Sequence, residues 1–147
     1  MTRLWILIAA LLAVCAAAPA AEVLPGPYGA EILRVIDGDT VEARVRVWLG
    51  LDQTVRIRLR DVDAPEMHGR CPGEPRAAQA ARDHLIGLLA TGPVTVTDVG
   101  LDKYGGRVDA RLRRADGSDI SQAMVAAGHA QPSGRARIAR CPKDDRP

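Results

Sequence analysis

The stretch RVIDGDTVEARV, residues Arg34 to Val45, sets two acids, Asp37 and Asp39, around Gly38 in a run that otherwise suits a β-strand. A second acidic group follows in DVDAPE, which carries Asp63 and Glu66. Carboxylates gathered from separate segments suit a hard cation, because Ca²⁺ and Mg²⁺ take oxygen ligands and the carboxylates offset their charge. Either segment alone reads as an ordinary turn or a solvated loop. Two arginines change that reading. Arg58 stands five residues before Asp63, and Arg107 follows DKYGG. A divalent ion beside two guanidinium groups suits a phosphoryl group: the cationic charges oppose the negative charge that develops on its oxygens, while a carboxylate orients or deprotonates a water.

Strands must hold these groups. Ala30 to Ile36 reads as a strand, Asp-Gly marks a turn, and Thr40 to Trp48 resumes the β pattern. After the turn LGLDQ, Thr54 to Arg60 alternates Val55, Ile57 and Leu59 with Arg56, Arg58 and Arg60, a half-buried strand with an arginine face. The Pro- and Gly-rich DVDAPEMHGRCPGEP reads as loop. Arg76 to Leu89 spaces Ala77, Ala81, Leu85 and Leu88 as an amphipathic helix does. PVTVTDV is a fourth strand, GLDKYGG a loop, and Arg107 to Arg113 a fifth strand with Val108, Ala110 and Leu112 inward. A short helix from Ile120 to Ala127 begins at Ser118 or Asp119 and stops at Gly128. The expected class is mainly β with α: a five-stranded OB-type barrel, a helix between strands three and four and a short helix after strand five.

The bulk properties suit one domain: 147 residues, 47% apolar. Arg3, the apolar run LWILIAALLAVCAAA and the site Ala18-Pro19-Ala20 predict a signal peptide over residues 1–20, cleavage near Ala21, and an exported protein, periplasmic or secreted. Residues 21–29 form a leader, 30–131 the folded domain and 132–147 a basic irregular tail. Losing Arg3 takes the 20 bases and 18 acids to 19 and 18, a net charge of +1, so phosphate binding must come from local arrangement rather than overall field. Cys71 and Cys141 remain after the signal, and an even number in an exported chain predicts one disulfide, with two free thiols as the alternative. His68, two residues after Glu66, reads as a solvated loop histidine, with an acid or ligand as the alternative, and His84 and His129 show no spacing that suggests zinc.

VIDGDTV, RLRDVDAPE and DKYGGRV, in that order and followed by the DG…ISQAMVAAG helix, resemble the staphylococcal nuclease family, over Glu31 to Gln131. The resemblance implies an OB-type barrel that hydrolyses phosphodiester bonds of DNA and RNA with Ca²⁺ and leaves 3′-phosphate products. It implies Asp39 and Asp63 as calcium carboxylates with the backbone carbonyl of Ala64 as a further ligand. It implies Glu66 as the residue that positions the attacking water, Arg58 and Arg107 as the phosphate-binding pair, and Lys103 and Tyr104 as residues flanking the phosphate. Asp37 then shapes the turn rather than binding metal. DKYGGR holds a second glycine before Arg107, and Arg111, on the same face of the strand, is a candidate to share its work.

The expected partner is nucleic acid, met by a monomer with no stable membrane association once the signal is gone. The rival reading is a noncatalytic OB module that binds nucleic acid or another anion. Such modules stack bases on aromatic platforms. Beyond residue 20 the chain has no Phe, one Trp (Trp48) and two Tyr (Tyr28 and Tyr104), which favours the enzyme.

Overall fold

The structure, a computed structural model, describes residues 21–68 and 73–134. The predicted signal peptide, Cys71, Cys141 and most of the tail lie outside the described residues. The elements run β1 (Val23–Leu24), β2 (Tyr28–Val35), β3 (Thr40–Trp48), β4 (Leu51–Leu59), β5 (Val62–Asp63), α1 (Glu74–Leu89), β6 (Val94–Leu101), β7 (Val108–Arg114), α2 (Ile120–Ala126) and β8 (Gln131–Pro132). No described helix is long and apolar enough to cross a membrane.

Each main strand buries alternate residues, so the sheet must close to enclose them. β2 pairs with β3, β3 with β4, β4 with β7 in parallel, β7 with β6, and β6 returns to β2. This closed five-strand circuit is the OB-type barrel that the sequence led us to expect. Val41, Ala43, Ile57, Leu59, Val96, Ala110 and Leu112 fill it. On β4 the inward set is Ile57 and Leu59, with Val55 only half-buried near the open end.

Helix α1 buries Ala78, Ala81, Leu85 and Leu89 against the barrel, a stripe turned slightly from the expected one, and leaves Ala77 and Leu88 half-buried. It opens on Gly73 without a side-chain cap, and Pro75 in its first turn fixes the entry. In α2 the cap is Asp119 rather than Ser118; its carboxylate accepts from the N–H groups of Ser121 and Gln122.

Two pairings differ from the expected loops. Leader residues Val23 and Leu24 add an edge strand to β6, and Val62–Asp63 pairs with Gln131–Pro132. Two-residue strands carry no periodicity of their own, and their partners lie far along the chain, so nothing local announces them.

One contact ties α1 to the acidic turn. A β-carbon on Gly38 would lie 2.7 Å from the Ala81 Cβ and 2.8 Å from the Ala64 Cβ, so three segments meet there with space for hydrogen only. Gly38→Ala should therefore lower unfolding free energy by about 1–3 kcal/mol through overpacking. Gly87→Ala, within α1 and with nothing within 4 Å of the added carbon, should instead stabilise by about 0.5–1 kcal/mol. Urea unfolding of the two variants reads the contrast; equal effects would remove the packing argument.

Candidate active site

The β3–β4 register sets Thr40 opposite Arg58, which brings the end of the acidic turn beside that arginine. The Leu59 N–H also donates to the Asp39 carbonyl at 2.8 Å, fixing the backbone of the acid. Since Ile57 and Leu59 face inward, Arg58 leaves the barrel wall toward the turn. Its guanidinium contacts both carboxylates: Nη1 reaches Asp39 Oδ1 at 3.2 Å, and Nη2 reaches Asp39 Oδ2 at 3.2 Å and Asp63 Oδ1 at 2.6 Å. Asp63 is delivered by β5, whose partner β8 holds it from the other side.

The Asp39 side chain is only 8% exposed. Burial raises its pKa to about 6, against the lowering influence of Arg58 and of the Ala64 N–H, which donates to Oδ2 at 3.1 Å. The Thr40 hydroxyl donates to Oδ1 at 3.0 Å. Asp37 does what a turn residue does, accepting from the Asp39 N–H at 3.1 Å. For Arg58, burial opposes the charge, but Asp39 and Asp63 outweigh it and raise the guanidinium above its ordinary value.

Eight of the residues singled out for chemistry line one cleft of about 1060 Å³: Asp39, Arg58, Asp63, Ala64, Glu66, Lys103, Tyr104 and Arg107. Glu66 is exposed on its wall, and His68 lies close by. Arg107 precedes β7 rather than opening it, and its Nε donates to Asp102. The Tyr104 ring has Lys103 Nζ at 4.8 Å and the Arg107 guanidinium at 5.4 Å from its centre.

Among the described residues no group of three or more His, Cys, Asp or Glu is arranged to hold a metal. Asp39, Asp63 and Ala64, the calcium ligands that the resemblance implies, all line the cleft and would offer oxygen donors only. That set suits a hard cation completed by water.

Arg111 does not share the work of Arg107. It contacts Asp61, Asp119 at 3.3 Å and Asp98 at 3.6 Å, and it is absent from the cleft wall. Sequence spacing alone could not separate two arginines on one strand face. Three other residues, to which the sequence assigned no part in the site, stand beside it. Asp102 holds Arg107, and Asp109 lies opposite Arg58 in the β4–β7 register, its pKa raised by burial and by Asp102. Arg60 also lines the cleft, donating to the Asp109 carbonyl at 3.2 Å. His84 and His129 stack with ring centres 4.5 Å apart, joining α1 to the segment after α2, away from the cleft.

The buried acid sets a pH dependence of stability. Below its ordinary value of 3.8 Asp39 is protonated whether folded or not, and nothing is lost. Between that value and about 6 the unfolded chain ionises while the native one resists, so stability falls as pH rises through this window. Asp39→Asn should therefore stabilise the metal-free protein at pH 7 and give little gain below pH 4. Denaturant midpoints at the two pH values test this; the same gain at both would exclude the carboxylate charge as its origin.

The Staphylococcal nuclease homologue family model matches residues 56–145, a span that includes Arg58, Asp63, Glu66 and Arg107 but not Asp39. The chain is 36% identical over 132 residues to the micrococcal nuclease of Shigella flexneri, covering 84% of this chain and 70% of that one. It is 36% identical over 102 residues to an uncharacterized endonuclease of Escherichia coli, covering 67% of this chain and 57% of the relative's length. Over 122 residues it is 33% identical to endonuclease YhcR of Bacillus subtilis, 78% of this chain but 9% of that one. Barrel, cleft and sequence agree: the chain belongs to the staphylococcal nuclease family.

Proposed function

We propose that this protein is an exported, calcium-dependent nuclease that hydrolyses phosphodiester bonds of DNA, RNA or both. The observation that carries the reading is Arg58 joined to both Asp39 and Asp63 in the cleft that also holds Glu66 and Arg107. Names of relatives that are nucleases support it. Export rests on the predicted signal peptide.

Asp39, Asp63 and the Ala64 carbonyl would hold the ion. When bound, calcium supplies charge that polarises a phosphate oxygen and favours the crowded transition state. Arg58 and Arg107 donate to the non-bridging oxygens, where negative charge grows as the reaction proceeds. Glu66 orients a water in line with the bond to be broken and accepts its proton. The water oxygen bonds to phosphorus as the bond to the 5′ oxygen breaks, the 5′ oxygen takes a proton from solvent and leaves as the alcohol, and the product keeps a 3′-phosphate.

A noncatalytic binding module would need aromatic platforms beside the cleft. Among the described residues that line the cleft, Tyr104 is the sole Phe, Trp or Tyr. Trp48, 73% exposed, stands at the far end of β3 from Asp39, roughly 25–30 Å away at ~3.3 Å per residue.

Plasmid DNA and RNA should be cleaved with Ca²⁺ and spared with EDTA; cleavage indifferent to EDTA would sink the proposal. Arg58→Ala and Arg107→Ala should each cost about 10²–10³ in kcat, and Glu66→Gln should lower kcat while leaving calcium affinity largely intact. Calcium affinity itself has a predicted pH profile, because the ion must displace the Asp39 proton. It should hold steady above about pH 6 and weaken as pH falls below that value. Calorimetric titration at several pH values reads this, and a flat profile would remove Asp39 from the metal site.

A further inference from the structure

The loop that delivers Arg107 is organised around one buried acid to which the proposed chemistry gives no part. Asp102 lies between the end of β6 and the start of β7, with a side chain only 2% exposed. Its carboxylate accepts from Arg107 Nε and, at 3.2 Å, from the Tyr104 N–H. Its backbone serves the same loop. The Asp102 N–H donates to the Arg107 carbonyl at 3.4 Å, and the Asp102 carbonyl accepts from the Gly105 N–H at 3.2 Å. Both ends of the loop are thereby gathered on one residue.

The extra glycine is what lets the chain return. Gly105 and Gly106 have φ of +69° and +70°, two successive left-handed residues that reverse the backbone so that Arg107 faces Asp102. Any other residue there would meet steric strain.

A guanidinium offers donors on two edges. With Nε engaged by Asp102, the Nη groups are those left for another anion, and Arg107 sits on the cleft wall with part of its side chain open to solvent. Asp102 is held ionised: burial works against its charge, but the Arg107 bond, the Tyr104 N–H and nearby Arg58 together lower its pKa. The pair is therefore charge-assisted at ordinary pH, which makes it strong and directional.

We propose that Asp102 is a positioning residue for phosphate recognition, fixing Arg107 through Nε so that its outer nitrogens face the cleft before substrate arrives. This rests on the reading of the cleft as a phosphodiester site. The rotamer freedom of a long side chain is then given up on folding rather than on binding. The Tyr104 ring, packed on the Arg107 guanidinium and tied through its N–H to the same carboxylate, is set by the same residue.

The test uses Asp102→Asn, which keeps shape and an acceptor for the Tyr104 N–H, and Arg107→Ala, alone and combined. Four measurements are made on each protein: kcat and KM on an oligonucleotide with Ca²⁺, calcium affinity, thermal midpoint, and NMR hydrogen exchange at the Arg107 Nε–H where that residue is present. Expected are a protected Nε–H in the parent protein, loss of that protection in Asp102→Asn, and a fall of about 10–100-fold in kcat/KM with calcium affinity unchanged. In the Arg107→Ala background, Asp102→Asn should cost almost nothing further, as for residues acting as a unit.

An unprotected Nε–H in the parent overturns the positioning role whatever the activity. A loss of equal size in both backgrounds overturns it too, since Asp102 would then act other than through Arg107. So does a loss that tracks a lowered thermal midpoint, with calcium affinity falling alongside. Full activity of Arg107→Ala beside a protected Nε–H overturns instead the phosphate reading of the cleft, and the role assigned to Asp102 with it.

Discussion

Two carboxylates are held in one corner of this barrel because a single guanidinium satisfies both. Arg58 touches Asp39 and Asp63, and through them it joins the turn after β2 to the segment after β4. The cost of such a cluster is desolvation: Asp39 is nearly out of solvent, and burial raises its pKa to about 6. Hydrogen bonds from the Ala64 N–H, a backbone donor, and the adjacent Thr40 hydroxyl offset part of that cost. The corner therefore sets two carboxylates against one guanidinium, with Asp39 held by the Ala64 and Thr40 donors as well.

What keeps the corner in place lies outside it. β5 would be a free loop without β8, and β8 is reached only after α2. The Ser133 N–H donates to the Asp61 carbonyl at 2.9 Å, and Asp61 itself has φ of +65°, a conformation unfavourable for a residue with a side chain. Arg111 contacts the Asp61 carboxylate and also that of Asp119, which caps α2. One arginine thus links the strained residue to the start of the helix that leads into β8. The two arginines on β7 and its approach divide the labour: Arg107 faces the cleft, Arg111 braces its wall.

Much of this was legible from the residues. The alternation in β4 separates Ile57 and Leu59 from Arg58 without any tertiary information, and Asp-Gly between β-type runs gives the turn that carries Asp39. The cleft residues converged as the motifs implied, since strand ends and the loops beside them hold all of them. The short pairings β1–β6 and β5–β8 were not legible, because two residues show no period and their partners are chosen by three-dimensional proximity. Nor was the fate of Arg111, which depends on Asp61, Asp98 and Asp119 arriving from three separate segments. Asp102 could have been noticed: an acid at the head of DKYGGR, five positions before an arginine across a glycine turn, is placed to pair with it.

The contact of Gly38 with Ala64 and Ala81 has an evolutionary consequence. Positions drawn from a turn, the segment after β5 and a helix share one small volume, so their sizes are not independent. A lineage that enlarges any one of them must shrink another or let α1 move away from the acidic turn, and a moved helix would carry the turn's support with it. Substitutions at these sites are therefore expected to be coupled. A chain adapting its helix for other reasons, such as solubility or a new neighbour, inherits the restriction that the face over Asp37 to Asp39 stays small, which makes the three positions a record of the site's geometry even though none of their side chains takes part in its chemistry.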